Sequence, residues 1–425
     1  MKKSYKMKMG ALLVSLFISL GTTISISAAE VCPAGDEIFT ALSFEPNELE
    51  GIVPLGERGG SHVLPVKHMY FRLKPIQVAA GDPEQWVYAT IRAMRDVRII
   101  AATYNTQNED YDLHMIYRDG TDTCSDIRLY FSHLQELSPA LTAEIGQRFN
   151  DETEYTAMGS DRTIGLSFDV NAAEIIGFAG GTVSSFDIGL IDLRKPRVGF
   201  VNPDRYSYDA ILDMVDDAQE QLQLTDEEVD LMLSIVPRGN RQHCFIRYFP
   251  QGLYQIQKAM LYAGDPWMPH PAQSCGSHMQ DVPDTAAGNW FLDATGHQSN
   301  VEDRSISIGP HWAKPDEMIV FSLTKLDNQS NFGVVDGIPY TAAYHLMFPK
   351  NAGFINRRPE AVVKGDVYCY EGLFYLDGQL LPGIFLVELL DIGLGQLKIE
   401  YIDNVAQCNA LQTWQFSNSA QILYR

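Results

Sequence analysis

Apolar and polar residues alternate with a period of two along two long stretches of the chain. In the first stretch the alternation recurs in "VYATIRAM", "RIIAATYN", "DLHMIYRD", "IRLYFSHL", "TIGLSFDV", "EIIGFAGG" and "SSFDIGLIDL", with turn-forming residues between the runs. A half-buried β-strand requires this period, because successive side chains point to opposite faces of a sheet. We therefore expect an antiparallel β domain over residues 30–206.

The second stretch of alternating residues covers 286–425. It contains "RSISIGPHW", "EMIVFSLTKL", "DVYCYEGLFYL", "GIFLVELLDI" and "LKIEYIDNV". These runs predict a second β-rich domain, which we expect to be sandwich-like. The chain as a whole is therefore predicted to be mainly β.

The residues between the two stretches, 207–285, have a different pattern. "DAILDMVDDAQEQLQ" and "TDEEVDLMLSIV" place apolar residues at helical spacing, and Thr225 with Glu228 is a capping-box pair. The rest of this segment is rich in Pro, His and Cys. We predict a connector that contains a short helical part with a solvated acidic face, followed by loops.

The N-terminus has the pattern of a secretory signal peptide over residues 1–29. Lysines at positions 2, 3, 6 and 8 precede the apolar run Ala11–Leu20, and Ser27, Ala28 and Ala29 form a small-residue cleavage site. The apolar run is too short to span a membrane stably, and no other segment is long and apolar enough. The sequence therefore predicts a secreted or periplasmic protein that has no membrane span after signal removal.

The charge of the chain excludes some classes of partner. The formal net charge is −22, and the signal peptide carries four lysines and no acidic residue, so the mature chain is near −22 − 4 = −26. A strongly acidic protein repels nucleic acids and anionic membranes. We therefore expect no nucleic-acid partner.

The chain has six cysteines, and an even number in an exported protein favours disulfides. None of them forms a CxxC pair, which argues against a zinc ribbon. Sequence alone allows 15 pairings of six cysteines. Short closed loops favour Cys244–Cys275 and Cys369–Cys408, which would leave Cys32 with Cys124.

Candidate metal ligands occur in "GGSHVLPVKHMYF", where His62 and His68 flank a proline. In the strand pattern that follows, His68 lies on the side opposite Met69, Phe71 and Leu73. A hydrolytic zinc site needs imidazole or carboxylate ligands from three residues and an open position for water. A lone histidine in such a place is more often an ordinary structural residue.

Two later predicted strands contain further candidate residues for a zinc site. In "SFDIGLID", Asp187 shares a side with Gly189, whose missing side chain leaves room for another group to approach. In "IRLYFSH", alternation places His133 on the apolar side with Phe131. A further histidine near a zinc site can bind the attacking water or the developing oxyanion.

These segments resemble, in their order, the lysostaphin-type (LytM-like) zinc endopeptidases. The resemblance is carried by "SHVLPVKHMYF", "YFSHLQELS", "AEIIGFAGG", "SFDIGLIDL" and "FVNPDRY", over about residues 55–206. It implies a small antiparallel β domain, a duplicated hybrid motif, that cuts peptidoglycan cross-links. It also implies a zinc ion held by His62, His68 and Asp187, with His133 as the catalytic histidine.

The chain departs from the pattern of that family at ligand positions. The family's aspartate ligand has no counterpart four residues after His62, where Val66 stands, and His68 falls where that aspartate would sit relative to the strand. The family's His-x-His is Ser185-Phe186-Asp187 here, so Ser185 replaces a catalytic histidine. The resemblance is therefore compatible with a rearranged site and with a decayed one.

Two functions follow from these sequence features. The first is an exported zinc metallopeptidase that acts on peptidoglycan peptides or on another cell-envelope peptide. The second is a non-catalytic binding protein of the cell envelope that retains the peptidase scaffold. Convergence of His62, His68 and Asp187 in space would favour the enzyme.

Overall fold

The structure is a computed structural model of the full chain. It describes residues 32–58, 62–79, 82–158, 160–196, 199–202, 225, 229, 231, 241–262, 264, 271–277, 281–292, 305–324, 341–375, 378–391 and 395–425. The predicted signal peptide lies outside these residues. So does the predicted helical part of the connector, except for Thr225 and for Val229 and Leu231, which are helical. No helix within the described ranges has the length and hydropathy of a membrane span.

The first region contains two antiparallel sheets. Their strands are β1 (Leu49–Val53), β2 (Met69–Leu73), β3 (Pro75–Ile76), β4 (Gln85–Arg92), β5 (Val97–Asn105), β6 (Asp110–Asp119), β7 (Asp122–Leu134), β8 (Glu136–Leu137), β9 (Thr156–Met158), β10 (Asp161–Val170), β11 (Ile175–Gly181) and β12 (Ser185–Asp192). The larger sheet has eight strands in the order β1-β2-β12-β7-β6-β5-β10-β9, and the smaller has the order β3-β4-β11-β8. Helix α1 (Pro139–Ile145) follows β8 and is capped by the Ser138 hydroxyl, which accepts from the Leu141 amide.

The two sheets share one hydrophobic core. Ala89 and Ile91 on the smaller sheet belong to the same buried cluster as Phe71 and Phe131 on the larger sheet. The alternation of the sequence explains this layering, because each strand buries every second side chain against the opposite sheet. The prediction of an antiparallel, mainly β chain is confirmed.

The described part of the connector packs into this first core. A short 3-10 helix (Phe245–Tyr248) and helix α2 (Gln251–Ala259) contribute to it, and the Phe249 ring lies 4.9 Å from that of Phe39. Residue Leu261 forms a parallel bridge with Ile52. Residues 241–262 therefore belong structurally to the first region.

The second region is one antiparallel sheet of eight strands in the described residues. Its strands are β13 (Gly288–Phe291), β14 (Ser305–Pro310), β15 (Met318–Thr324), β16 (Thr341–Met347), β17 (Val367–Tyr370), β18 (Ile384–Asp391), β19 (Gln396–Ile402) and β20 (Gln421–Tyr424). Their order is β16-β15-β14-β13-β20-β19-β18-β17. This finding is consistent with the predicted second β-rich domain.

The sheet of the second region folds over itself. Phe321 on β15 and Phe385 on β18 are far apart in the strand order, yet their rings stack with centroids 5.6 Å apart. The Tyr370 ring on the edge strand β17 also lies 4.7 Å from Phe321. One face of the sheet thereby encloses its own core, as two packed layers would.

Three disulfides join all six cysteines. They are Cys32–Cys124, Cys244–Cys275 and Cys369–Cys408. The second and third are the pairings that short closed loops favoured, and the first is the pairing that they left, so the prediction is confirmed. The third bridge joins β17 to the segment after β19, and residues of both flanks pack around it.

Replacing both Cys369 and Cys408 by serine is expected to lower the free energy of unfolding of the second region by about 4 kcal/mol. The bridge closes a loop of 39 residues, and its loss returns that loop's entropy to the unfolded chain. Urea unfolding of the oxidised variant and of the wild type measures the difference. An unchanged midpoint for this region would contradict the expectation.

Candidate functional site

The candidate site is centred on Asp187 in the middle of the larger sheet. On β12, Asp187 lies opposite Tyr70 of β2 and Ser132 of β7. Its strand neighbours Phe186 and Ile188 point into the core, so Asp187 points to the other face. The carboxylate is nonetheless only 1% exposed.

Two imidazoles approach the same carboxylate oxygen. The Nε2 atom of His68 lies 3.3 Å from Asp187 Oδ2, and the Nε2 atom of His133 lies 3.6 Å from it. Among the described residues, neither Asp187 Oδ1 nor His68 Nε2 has a hydrogen-bond partner, although both atoms are buried. Buried polar atoms without partners are rare in proteins and point to a bound water or ion.

His133 reaches this site through an irregularity of its strand. Alternation placed His133 on the apolar side with Phe131, and that prediction is wrong. The backbone of His133 has φ +63°, in the left-handed region, and the pairing of β6 with β7 shifts register nearby. This turn of the backbone brings the imidazole to the face that carries Asp187.

A second carboxylate orients His133. The Nδ1 atom of His133 lies 2.6 Å from Asp110 Oδ2, and the His133 backbone amide donates to Asp112 Oδ1 at 3.3 Å. Asp110 is buried, whereas the His133 side chain is 40% exposed. The Asp110 contact fixes which nitrogen of His133 faces the site.

Burial and neighbouring charges give His68, Asp187 and His133 different pKa values. Burial lowers the pKa of His68 to about 3, so His68 is neutral at physiological pH. Burial also raises the pKa of Asp187 to about 7. The hydrogen bond to Asp110 raises the pKa of His133 to about 9, so His133 carries a proton at neutral pH. A neutral imidazole, an ionisable carboxyl group and an imidazolium therefore meet at one point.

Gly189 makes room in the site, as the sequence indicated, but the group that fills the space is Tyr130. A Cβ atom on Gly189 would overlap the Tyr130 ring. The Tyr130 hydroxyl donates to the Lys67 carbonyl at 3.3 Å and lies 3.4 Å from His68 Nδ1. Gly189 thus lets Tyr130 support the segment that carries His68.

His62 lies beside this group without closing a ligand triad. Its ring centroid is 5.9 Å from that of His68 and 6.5 Å from that of Tyr70. Within the part of the chain that the structure describes, the only three potential ligands that all lie within 4.8 Å of one another are Cys32, Cys124 and Asp126, and those cysteines form a disulfide. The structure therefore brings His68, His133 and Asp187 together, with His62 at the margin.

Polar side chains extend from Asp187 across the sheet toward a cleft. The row consists of side chains that lie opposite or beside one another on successive strands: Tyr70, Asp187, Ser132, Asp112, Thr103 and Thr163. Burial raises the pKa of Asp112 to about 6. Thr163 also lines a cleft of about 710 Å³, together with Tyr155, Thr156 and Ser167. The row thus leads, through the buried side chains of Thr103 and Thr163, from Asp187 to the edge of a cleft whose volume suits a peptide or glycan.

Sequence analysis missed Asp110, Tyr70 and Tyr130 as parts of the site. Asp110 begins β6, 23 residues from His133, and only the pairing of β6 with β7 brings them together. For Tyr70 the alternation offered a signal, because it shares the polar side of β2 with His68. For Tyr130 the signal was Gly189, which lies directly opposite on β12.

Asp110→Asn is expected to lower the pKa of His133 from about 9 toward 6.5, because it removes the carboxylate that holds the proton at Nδ1. Since His133 has a higher pKa folded than unfolded, its contribution to stability is present below about pH 6.5 and is lost as pH rises through about 9. NMR titration of the imidazole in both proteins measures the shift. Equal pKa values would contradict the expectation.

Asp187→Asn is expected to stabilise the metal-free protein at pH 8, on the order of 2 kcal/mol. The pKa of Asp187 is higher folded than unfolded, so its ionisation costs stability as pH rises from about 4 through 7. Chemical unfolding with a chelator at pH 8 and at pH 4 measures this. The gain should vanish at pH 4, where both proteins are neutral at this position. A destabilised variant at pH 8 would refute the expectation.

Comparison with known proteins finds no match: no protein family, no curated protein and no solved structure corresponds to this chain. The case for a function therefore rests on the residues and geometry of the chain itself.

Proposed function

We propose that this protein is an exported zinc-dependent hydrolase of the peptidase type, with its reaction centre at Asp187. The observation that carries the proposal is the pair formed by His68, whose side chain is partly buried, and the buried Asp187. Each of the two side chains has a buried polar atom without a hydrogen-bond partner among the described residues, and the ligating atoms His68 Nε2 and Asp187 Oδ2 are 3.3 Å apart. A pair that served only stability would be expected to satisfy these atoms.

The donor types fit zinc. A neutral imidazole nitrogen and a carboxylate oxygen are ordinary zinc ligands, and His68 is held neutral by burial. His68 and Asp187 would supply two ligands, and His62, whose ring lies 5.9 Å from that of His68, would supply the third. A zinc ion bound there would polarise a peptide carbonyl and lower the pKa of a bound water.

In this proposal, His133 acts on the substrate. Asp110 holds its Nδ1, so its protonated Nε2 faces the site beside Asp187. An Nε2–H group in that position can donate a hydrogen bond to the carbonyl oxygen of a bound peptide as negative charge develops there. The partial exposure of His133 is consistent with contact to a substrate that arrives from solvent.

The substrate class is supported by charge and by the shape of the surface. The acidic chain does not repel the free amines of peptide cross-links. The polar row from Asp187 to Thr163 and the cleft that Thr163 lines offer hydroxyl and carboxyl groups along one line. We propose peptidoglycan stem or bridge peptides, or a similar cell-envelope peptide, as the substrate.

One observation favours a second function. His62, His68 and Asp187 do not form a group whose ligating atoms all lie within 4.8 Å in the described chain. Side chains in that arrangement must move before three of them can share an ion, given zinc bonds of about 2 Å. The alternative is therefore a cell-envelope binding protein that retains this β scaffold and uses the row and cleft for binding alone.

Zinc titration of the purified mature protein separates the two functions. The enzyme requires that zinc raise the free energy of unfolding by about 3 kcal/mol at a hundredfold excess over its dissociation constant. His68→Ala and Asp187→Ala should abolish this gain. His133→Ala should keep the zinc-induced gain and lose hydrolysis of a peptidoglycan peptide.

His114→Phe is the matched control for these variants. His114 is a partly buried histidine of the same sheet, on β6, whose pKa burial lowers to about 4, and its strand partners are Ala101 and Tyr130 rather than Asp187. This variant should bind zinc like the wild type. A wild-type protein that gains no stability from zinc would eliminate the enzyme and leave the binding protein.

A further inference from the structure

The second β region holds the segment that carries His62. At the base of this segment the Gly56 amide donates to the Val66 carbonyl, and the Val66 amide donates to the Glu57 carbonyl. Arg58, His62 and Leu64, which lie between these pairs in the sequence, contact residues of the second region. His62 therefore depends for its position on contacts outside the first region.

Three separate contacts fasten this segment to the second region. The Arg58 guanidinium donates to the carbonyls of Pro310 at 2.9 Å and of Val320 at 3.4 Å. The Ser322 hydroxyl donates to the His62 carbonyl at 3.4 Å. Leu64 forms a small buried cluster with Phe200 and with Phe291 of the second region.

Two buried histidines flank the Arg58 contact. His311 directly follows β14 and His345 lies on β16, and their ring centroids are 5.4 Å apart. Both residues are at most 1% exposed, and so is Arg58. Within the described residues, His311 Nε2 and both ring nitrogens of His345 have no hydrogen-bond partner.

The charges around this cluster oppose a further positive charge. Arg58 faces both imidazoles, Lys314 faces His311, and the only acidic group that acts on Arg58 in the described residues is Glu360. The guanidinium also disfavours a bound metal cation between the two histidines. In the folded contact both imidazoles are therefore held neutral, and a proton or a metal ion taken up there would cost stability.

We propose that Arg58, His311 and His345 form an acid-sensitive contact between the two β regions, which holds His62 in place at neutral pH and releases it when an imidazole takes up a proton. The contact itself does not depend on any activity. That its release would disable a metal site rests on the function proposed above.

The size of the effect follows from proton linkage. Burial lowers the pKa of His345 to about 3, and the pKa of His311 also lies well below its ordinary value. For these groups the folded contact is fully stable above the free pKa near 6.5 and weakens as pH falls below it. One imidazole whose pKa rises from about 3 to about 6.5 on release weakens the contact about 30-fold between pH 7.5 and pH 5.

Hydrogen exchange of the metal-free full-length protein tests the proposal. Protection of peptides that cover residues 62–68, corrected for intrinsic exchange rates, should fall about 30-fold or more from pH 7.5 to pH 5 in the wild type. In the double variant His311→Asn/His345→Phe, the fall should be at least tenfold smaller than in the wild type; His68, whose pKa burial also lowers, is present in both proteins and contributes equally to each. Asn can still accept from the Ala313 and Lys314 amides that bond to His311 Nδ1, and Phe fills the buried site of His345.

His243→Asn is the matched control. His243 is a partly buried histidine with a lowered pKa, and it faces Asp192 and Lys195 rather than Arg58. This variant should lose protection at residues 62–68 as the wild type does. Equal protection of the wild type at both pH values, or an equal loss in the double variant, would overturn the proposal.

Arg58→Met provides an independent test where the double variant does not fold. It removes the anchoring hydrogen bonds, so residues 62–68 should already be poorly protected at pH 7.5; full protection there would refute the proposal. None of these measurements involves zinc or hydrolysis. A zinc titration that shows no gain in stability would therefore contradict only the proposed function. Hydrogen exchange at residues 62–68 that does not change with pH would contradict only the acid-sensitive contact.

Discussion

The burial of the Asp187 carboxylate is the constraint on which the site depends. A carboxylate at the centre of a sheet, 1% exposed, costs stability unless positive or donating groups face it. His68 and His133 are the groups that approach it, and the pKa of Asp187 still rises to about 7. Groups with such a cost are concentrated at reaction and ligand sites, which is why the proposed function is centred on Asp187.

Support for this carboxylate comes from several layers of the fold. Asp110 fixes the imidazole of His133, and Tyr130 occupies the space left by Gly189 and contacts both Lys67 and His68. Asp110 lies on β6, beside the strand β7 that carries His133, whereas Tyr130 reaches from β7 past β12 to the segment that precedes β2. Strands hold Asp187 and His133 more tightly than loops would, as a site for chemistry requires.

The second β region is more than an attached domain. It accepts hydrogen bonds from Arg58 and donates one to the His62 carbonyl. Its residues Trp312, Met318 and Val320 also belong to the buried cluster of the first region. From the sequence pattern, the second region was predicted to begin at residue 286. The described strands of each region pair only with strands of the same region. The contact between them depends on side chains that alternation cannot distinguish from ordinary core residues.

The sequence by itself indicated most of the strands, two of the three disulfides directly and the third by elimination, and the four candidate residues His62, His68, His133 and Asp187. Period-two alternation and loop length are local properties, so a single chain displays them directly. Tertiary structure alone decided which candidates meet. The left-handed backbone at His133 moved it to the face of Asp187, and strand pairing brought in Asp110. Backbone irregularities and pairings between distant strands depend on the packed sheet as a whole, and no local pattern encodes them.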